Sequence, residues 1–163
     1  QYRGASTTKS HRCLSEQDPR SAYDLNYFRT LILVADDCPV KAGTVPAERG
    51  GKPTVASLQY ALLADKPHVL TQEDILFQTW LQRQDPHAKR SAAELRRLRG
   101  EFFAKPQACL RASPLPKRYG WGVLFDQDGR AALCPMESAQ YKRLAAGGDA
   151  GLTLVKAMRS QRA

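Results

Sequence analysis

Side chains able to do chemistry crowd together in Arg111-Ala112-Ser113-Pro114-Leu115-Pro116-Lys117-Arg118-Tyr119-Gly120-Trp121-Gly122. Guanidinium groups, and backbone N–H groups left accessible by glycine, can hold a phosphate, while Tyr119 or Trp121 can stack on a base or sugar. Neither G-x-x-x-x-G-K-[ST] nor G-x-G-x-x-G occurs here, so no known phosphate loop is spelled out. The same glycines also suit turns, and the aromatics suit the edge of a core. A second basic group, Arg96, Arg97 and Arg99, lies just upstream. The candidate anion- or partner-binding set is therefore Arg96, Arg97, Arg99, Arg111, Ser113, Lys117, Arg118, Tyr119 and Trp121.

Other reactive residue types fall short of a catalytic set. Cys38 follows Asp36 and Asp37, which raise a thiol pKa and so oppose activation. His11, His68 and His87 sit in tail or loop segments with no cysteine or serine tied to them. Glu73-Asp74 fits the first turn of a helix, where carboxylates complement the dipole. Asp126-x-Asp128-Gly129 is turn chemistry without the later ligands of a calcium loop. The four cysteines, Cys13, Cys38, Cys109 and Cys134, form no C-x-x-C pair and have no histidine at ligand spacing. They are too sparse for a disulfide scaffold and read as reduced thiols. No catalytic, cofactor-binding or metal-ligating residue is assigned.

The elements that must position these residues follow from pattern. Asn26–Ala35, with Leu31-Ile32-Leu33-Val34, reads as a buried strand ended by Asp36-Asp37-Cys38-Pro39. Thr54 caps a helix over 55–65, and Thr71 with Asp74 begins another that ends at Asp85-Pro86. Ser91-Ala92-Ala93-Glu94 is a capping box for a third, running to about Ala104, with Leu95, Leu98, Phe102 and Phe103 on one face. Cys109–Ala112 is expected to be a short strand broken by Pro114 and Pro116. Trp121–Phe125 and Arg130–Leu133 form a hairpin about Asp126–Gly129, and Glu137–Ala146 is a helix stopped by Gly147-Gly148. The irregular order of elements predicts an α+β fold: one domain over 25–163, a small antiparallel sheet and about four helices.

With 42% hydrophobic and 25% charged residues in 163, the composition excludes wholesale disorder and collagen-like structure. No apolar run approaches the ~20 residues of a transmembrane helix. The formal net charge of +9 is local. Residues 88–118 carry nine Lys or Arg against two acids, and residues 142–163 carry five against one; the remainder is close to neutral. One basic region and a basic tail on a neutral body permit nucleic acid, phosphate or an acidic protein as partner.

Asn26-Tyr27-Phe28, Ala35-Asp36-Asp37-Cys38-Pro39-Val40, Lys52 to Leu58, Asp74-Ile75-Leu76-Phe77, the motif from Arg111 to Gly122, and Lys156-Ala157-Met158-Arg159-Ser160 together resemble an uncharacterised family of small, chiefly bacterial proteins. The resemblance covers about residues 25–163 and implies no function. Residues 1–24 precede it as an N-terminal extension. Its Arg3, Lys9, Arg12 and Arg20 among serines and threonines, with a first residue that is not Met, suggest a processed organellar protein or a partner-binding tail. The leading expectation is thus a non-catalytic accessory subunit of a larger mitochondrial assembly, contacting other protein subunits; the cytoplasm is the alternative compartment. A phosphate- or nucleic-acid-binding module built on the basic helix and the 111–122 segment is the second expectation. An enzyme of unidentified type is the third.

Overall fold

The structure, a computed structural model, describes residues 25–161; the N-terminal extension of residues 1–24 lies outside them. The domain is α+β. Its four strands are β1 (Thr30–Leu33), β2 (Trp121–Phe125), β3 (Ala131–Pro135) and β4 (Thr153–Lys156), in sheet order β3-β2-β1-β4. Among the described residues there are five α-helices: α1 (Val55–Asp65), α2 (Gln72–Gln84), α3 (Ala92–Phe103), α4 (Pro114–Arg118) and α5 (Ala139–Ala145).

β1 lies inside the sheet, pairing antiparallel to β2 and parallel to β4. Its adjacent residues Leu31 and Ile32 point to opposite faces, and both are fully buried. Ile32 joins the larger core with Val123, Phe125, Leu63, Ile75, Leu110 and Leu115. Leu31 joins a smaller one with Cys134 and Leu144 beneath α5. Cover on both faces is why this strand reads as an unbroken apolar run rather than an alternating one. The β2–β3 hairpin forms as the pattern predicts, with Gly129 at φ +78° in its turn.

Two details depart from expectation. The sheet is mixed, because residues 153–156 add a fourth strand parallel to β1. That segment has no period-2 signal, since its burial is largely exposed. Cys109–Ala112 supplies no strand: Leu110–Ala112 is a 3-10 turn. The prolines that look like strand breakers begin α4, where Pro114 at the first turn needs no N–H partner and Ser113 caps the helix.

Local capping agrees with the sequence. At Thr54 and Thr71 both halves of a capping box form, with Ser57 and Asp74 returning the bond. At Ser91 only the cap's own bond, from the Glu94 N–H at 3.1 Å, is made. The thiol reading holds for Cys38 and Cys134, which are free. It fails for Cys109, which is disulfide-bonded.

Gln72, fully buried at the start of α2, joins three parts of the chain. Its amide nitrogen donates to the Leu25 carbonyl, and its carbonyl accepts from the Leu110 N–H at 2.9 Å. Replacing it by leucine strands both backbone groups in the core. At about 1–3 kcal/mol for each unpaired group, Gln72→Leu is expected to cost about 2–6 kcal/mol. The check is a lower urea midpoint at unchanged m; a midpoint equal to wild type would show that neither bond matters.

Candidate anion-binding site

α4 is anchored at its first turn. Ser113, 5% exposed, accepts from the Leu115 N–H at 3.2 Å and donates to Gln59 Oε1 of α1 at 2.5 Å. This places the end of α4, with Lys117 and Arg118, beside the N-terminus of α1. Between them lies a cavity of about 340 Å³ whose wall includes Arg49, Thr54, Val55, Lys117, Arg118 and Tyr119. Arg49 arrives on a tight turn, Arg49-Gly50-Gly51-Lys52, whose end residues exchange backbone hydrogen bonds at 3.0 and 2.9 Å. Gly50 and Gly51 have φ of +57° and +72°, the geometry that selects glycine in a type I′ turn.

The electrostatics of this cavity are one-sided. Among the described residues, no carboxylate lines it. Arg49, Lys117 and Arg118 take part in no ion pair among the described residues; Arg118 reaches only the Ser160 hydroxyl, at 3.4 Å. The N-terminus of α1, which carries partial positive charge, has no acidic residue in its first turn. α2 and α3 do carry such residues, Glu73 and Asp74 in one and Glu94 in the other. Thr54 accepts from the Ser57 N–H, and Thr54, Val55 and Ala56 of this helix start line the cavity. Three cations and a helix end therefore repel one another around a space an anion would fill.

The other residues of the 111–122 motif have structural work. Arg111 is 7% exposed; its Nε donates to the Lys156 carbonyl at 2.6 Å, and its own carbonyl accepts from the Met158 N–H at 2.8 Å. It thereby fastens the C-terminal segment alongside β4. Trp121 donates from Nε1 to the Thr44 carbonyl at 2.8 Å and packs on Tyr60 with ring centres 5.4 Å apart. Gly120 has φ +76°, and a Cβ there would stand 2.6 Å from the Ala42 carbonyl oxygen; one at Gly122 would meet the Tyr141 ring at 2.9 Å. Turn geometry and close packing account for both glycines.

The α3 arginines do not join the cavity. Arg97 pairs with Glu101 at 2.8 Å. Arg99 reaches Asp74 at 3.1 Å and Glu73 at 3.7 Å, and lies 5.6 Å from the Phe77 ring centre and 5.3 Å from that of Phe103. Carboxylates and aromatic faces hold it as an anchor of α3 onto α2. Arg96 is exposed. Of the nine candidates, the structure thus brings Lys117, Arg118 and Tyr119 to one cavity, and adds Arg49 and the first residues of α1. Thr54 is legible as a cap, but nothing local in the sequence ties Arg49 to Lys117.

Elsewhere, burial pushes the Cys134 thiol up, away from nucleophile chemistry. Asp36 is held below the usual carboxylate range by its bond to Lys156 at 2.8 Å. Among the described residues, no three of His, Cys, Asp or Glu are grouped to hold a metal ion, and no helix is long and apolar enough to cross a membrane.

A family model matches residues 22–163. The chain belongs to the family of unknown function DUF6157. No curated protein and no solved structure was found to match it. The DUF6157 match spans every element of the sheet and both sides of the cationic cavity, from Arg49 to Arg118.

Two outcomes follow from the charge arrangement. Lys117→Glu supplies the carboxylate this cavity lacks and is expected to stabilise the unliganded protein by about 0.5–1 kcal/mol at low salt, from the helix end alone. The gain should fade as salt is added, and a loss of stability in thermal unfolding would contradict the mutual repulsion. Arg99→Ala removes two ion pairs and two ring contacts on a partly exposed side chain, at about 1–2 kcal/mol. Faster amide exchange confined to residues 92–103 is the expected readout.

Proposed function

We propose that this domain binds a phosphate-bearing ligand in the cavity between α1 and α4. The observation that carries the reading is the convergence of Arg49, Lys117 and Arg118 with the acid-free N-terminus of α1 on one cavity that, among the described residues, no carboxylate lines. Arginine offers bidentate hydrogen bonds to phosphate oxygens, lysine a mobile point charge, and the helix end fixed N–H donors. A compact anion is favoured over a polymer backbone laid across α3, because Arg97 and Arg99 are already engaged with Glu101, Glu73 and Asp74.

The test is a titration with inorganic phosphate and pyrophosphate at low ionic strength, followed by calorimetry and thermal shift. Binding should weaken as salt is raised, and Lys117→Ala with Arg118→Ala should remove it without unfolding the protein. Absence of any stabilisation by either anion in the wild type overturns the reading.

A second reading, an accessory subunit of a larger assembly, is supported by exposed apolar surface. Phe28 and Val69 are 50% and 49% exposed. Phe28 lies against Gly129 of the hairpin turn, and Val69 sits on the segment whose neighbours His68 and Leu70 bond to Ala131. Size-exclusion chromatography of native extract separates the two readings: a free peak at 18.1 kDa sinks the assembly role and leaves ligand binding untouched.

A further inference from the structure

The cationic cavity has a neighbour. Val55, the first residue of α1, lines it and also lines a second cavity of about 520 Å³. The second wall carries Trp80 and Phe102, with ring centres 5.3 Å apart, beside Gln59, Thr79, Gln84 and Gln107. Each volume suits a small molecule rather than a flat contact with a macromolecule. Gln59 also bonds to Ser113, the cap of α4, so the two cavities are held in one frame.

The second cavity is more than an apolar slot: one cation, Arg83, lines it together with the amides. Trp80 is half-buried, so part of its ring remains available to stack. Among the amides around it, Gln59 has committed its carbonyl oxygen to Ser113, which leaves its NH₂ as the group on offer. Gln107 has committed its NH₂ to the Phe102 carbonyl at 2.7 Å, which leaves its oxygen. A donor, an acceptor and an aromatic face are what the edge and plane of a nucleobase require. Val55 lines both cavities, so they adjoin one another.

We infer that the ligand is a nucleotide, with its phosphate among Arg49, Lys117 and Arg118 and its base against Trp80 and Phe102. This inference rests on the phosphate-binding reading and specifies the remainder of the ligand.

The test titrates the full chain at low salt with inorganic phosphate, ribose 5-phosphate, octyl phosphate and the nucleoside monophosphates. At least one nucleotide should bind about ten- to hundredfold more tightly than ribose 5-phosphate, the range that stacking one base supplies. Nucleotide, and not inorganic phosphate, should quench tryptophan fluorescence. Trp80→Leu should erase the preference while leaving phosphate affinity in place. Gln107→Leu, which spares the aromatic cluster, should reduce it as well and serves where Trp80→Leu fails to fold. Equal affinity for nucleotides and ribose 5-phosphate, or octyl phosphate binding as tightly as a nucleotide, overturns the base assignment while the cationic cavity stands. Failure of every ligand, inorganic phosphate included, overturns the phosphate reading itself.

Discussion

Two buried glutamines hold this fold in register. Gln72 of α2 satisfies the Leu25 carbonyl and the Leu110 N–H, and Gln59 of α1 accepts from Ser113. An unpaired polar group in a core costs as much as several good contacts contribute. The segment from Leu110 to Ser113 is therefore fixed wherever those amides sit. It gains backbone partners without becoming a strand, and α4 springs from it with Ser113 already placed as its cap. The position of Lys117 and Arg118 beside the end of α1 descends from these bonds.

The same arrangement sorts the positive charge. Arg99 finds Glu73 and Asp74, the acids that also complement the N-terminus of α2, so one pair of carboxylates serves a helix end and anchors a second helix. α1 has no such acids, and cations gather at its end instead. Arg111 is the intermediate case: buried, it gives its Nε–H to a backbone carbonyl and fastens the C-terminal segment. Identical residue types thus serve as anchor, clasp and open cation according to what the fold sets opposite them.

Much of the fold was legible because its signals are local. Thr54 and Thr71 with their partners three residues on mark helix starts, since capping is an exchange within one turn. The hairpin announces itself in Asp126–Gly129 between two apolar runs. β4 was not legible, because an exposed edge strand has no buried face to impose alternation. The 3-10 turn at Leu110–Ala112 was hidden for a related reason: its apolar residues resemble a strand, and only a glutamine on another helix supplies its backbone partner.

By itself, the sequence determined the α+β class, the helix caps, the hairpin and the region where positive charge accumulates, all properties of neighbours along the chain. Only the tertiary structure decided which of those charges are neutralised. Arg99 meets its carboxylates, and Arg49 meets Lys117 and Arg118, across long stretches of sequence. Coulomb energy depends on separation in space, and that separation is set by packing among elements rather than by residue order.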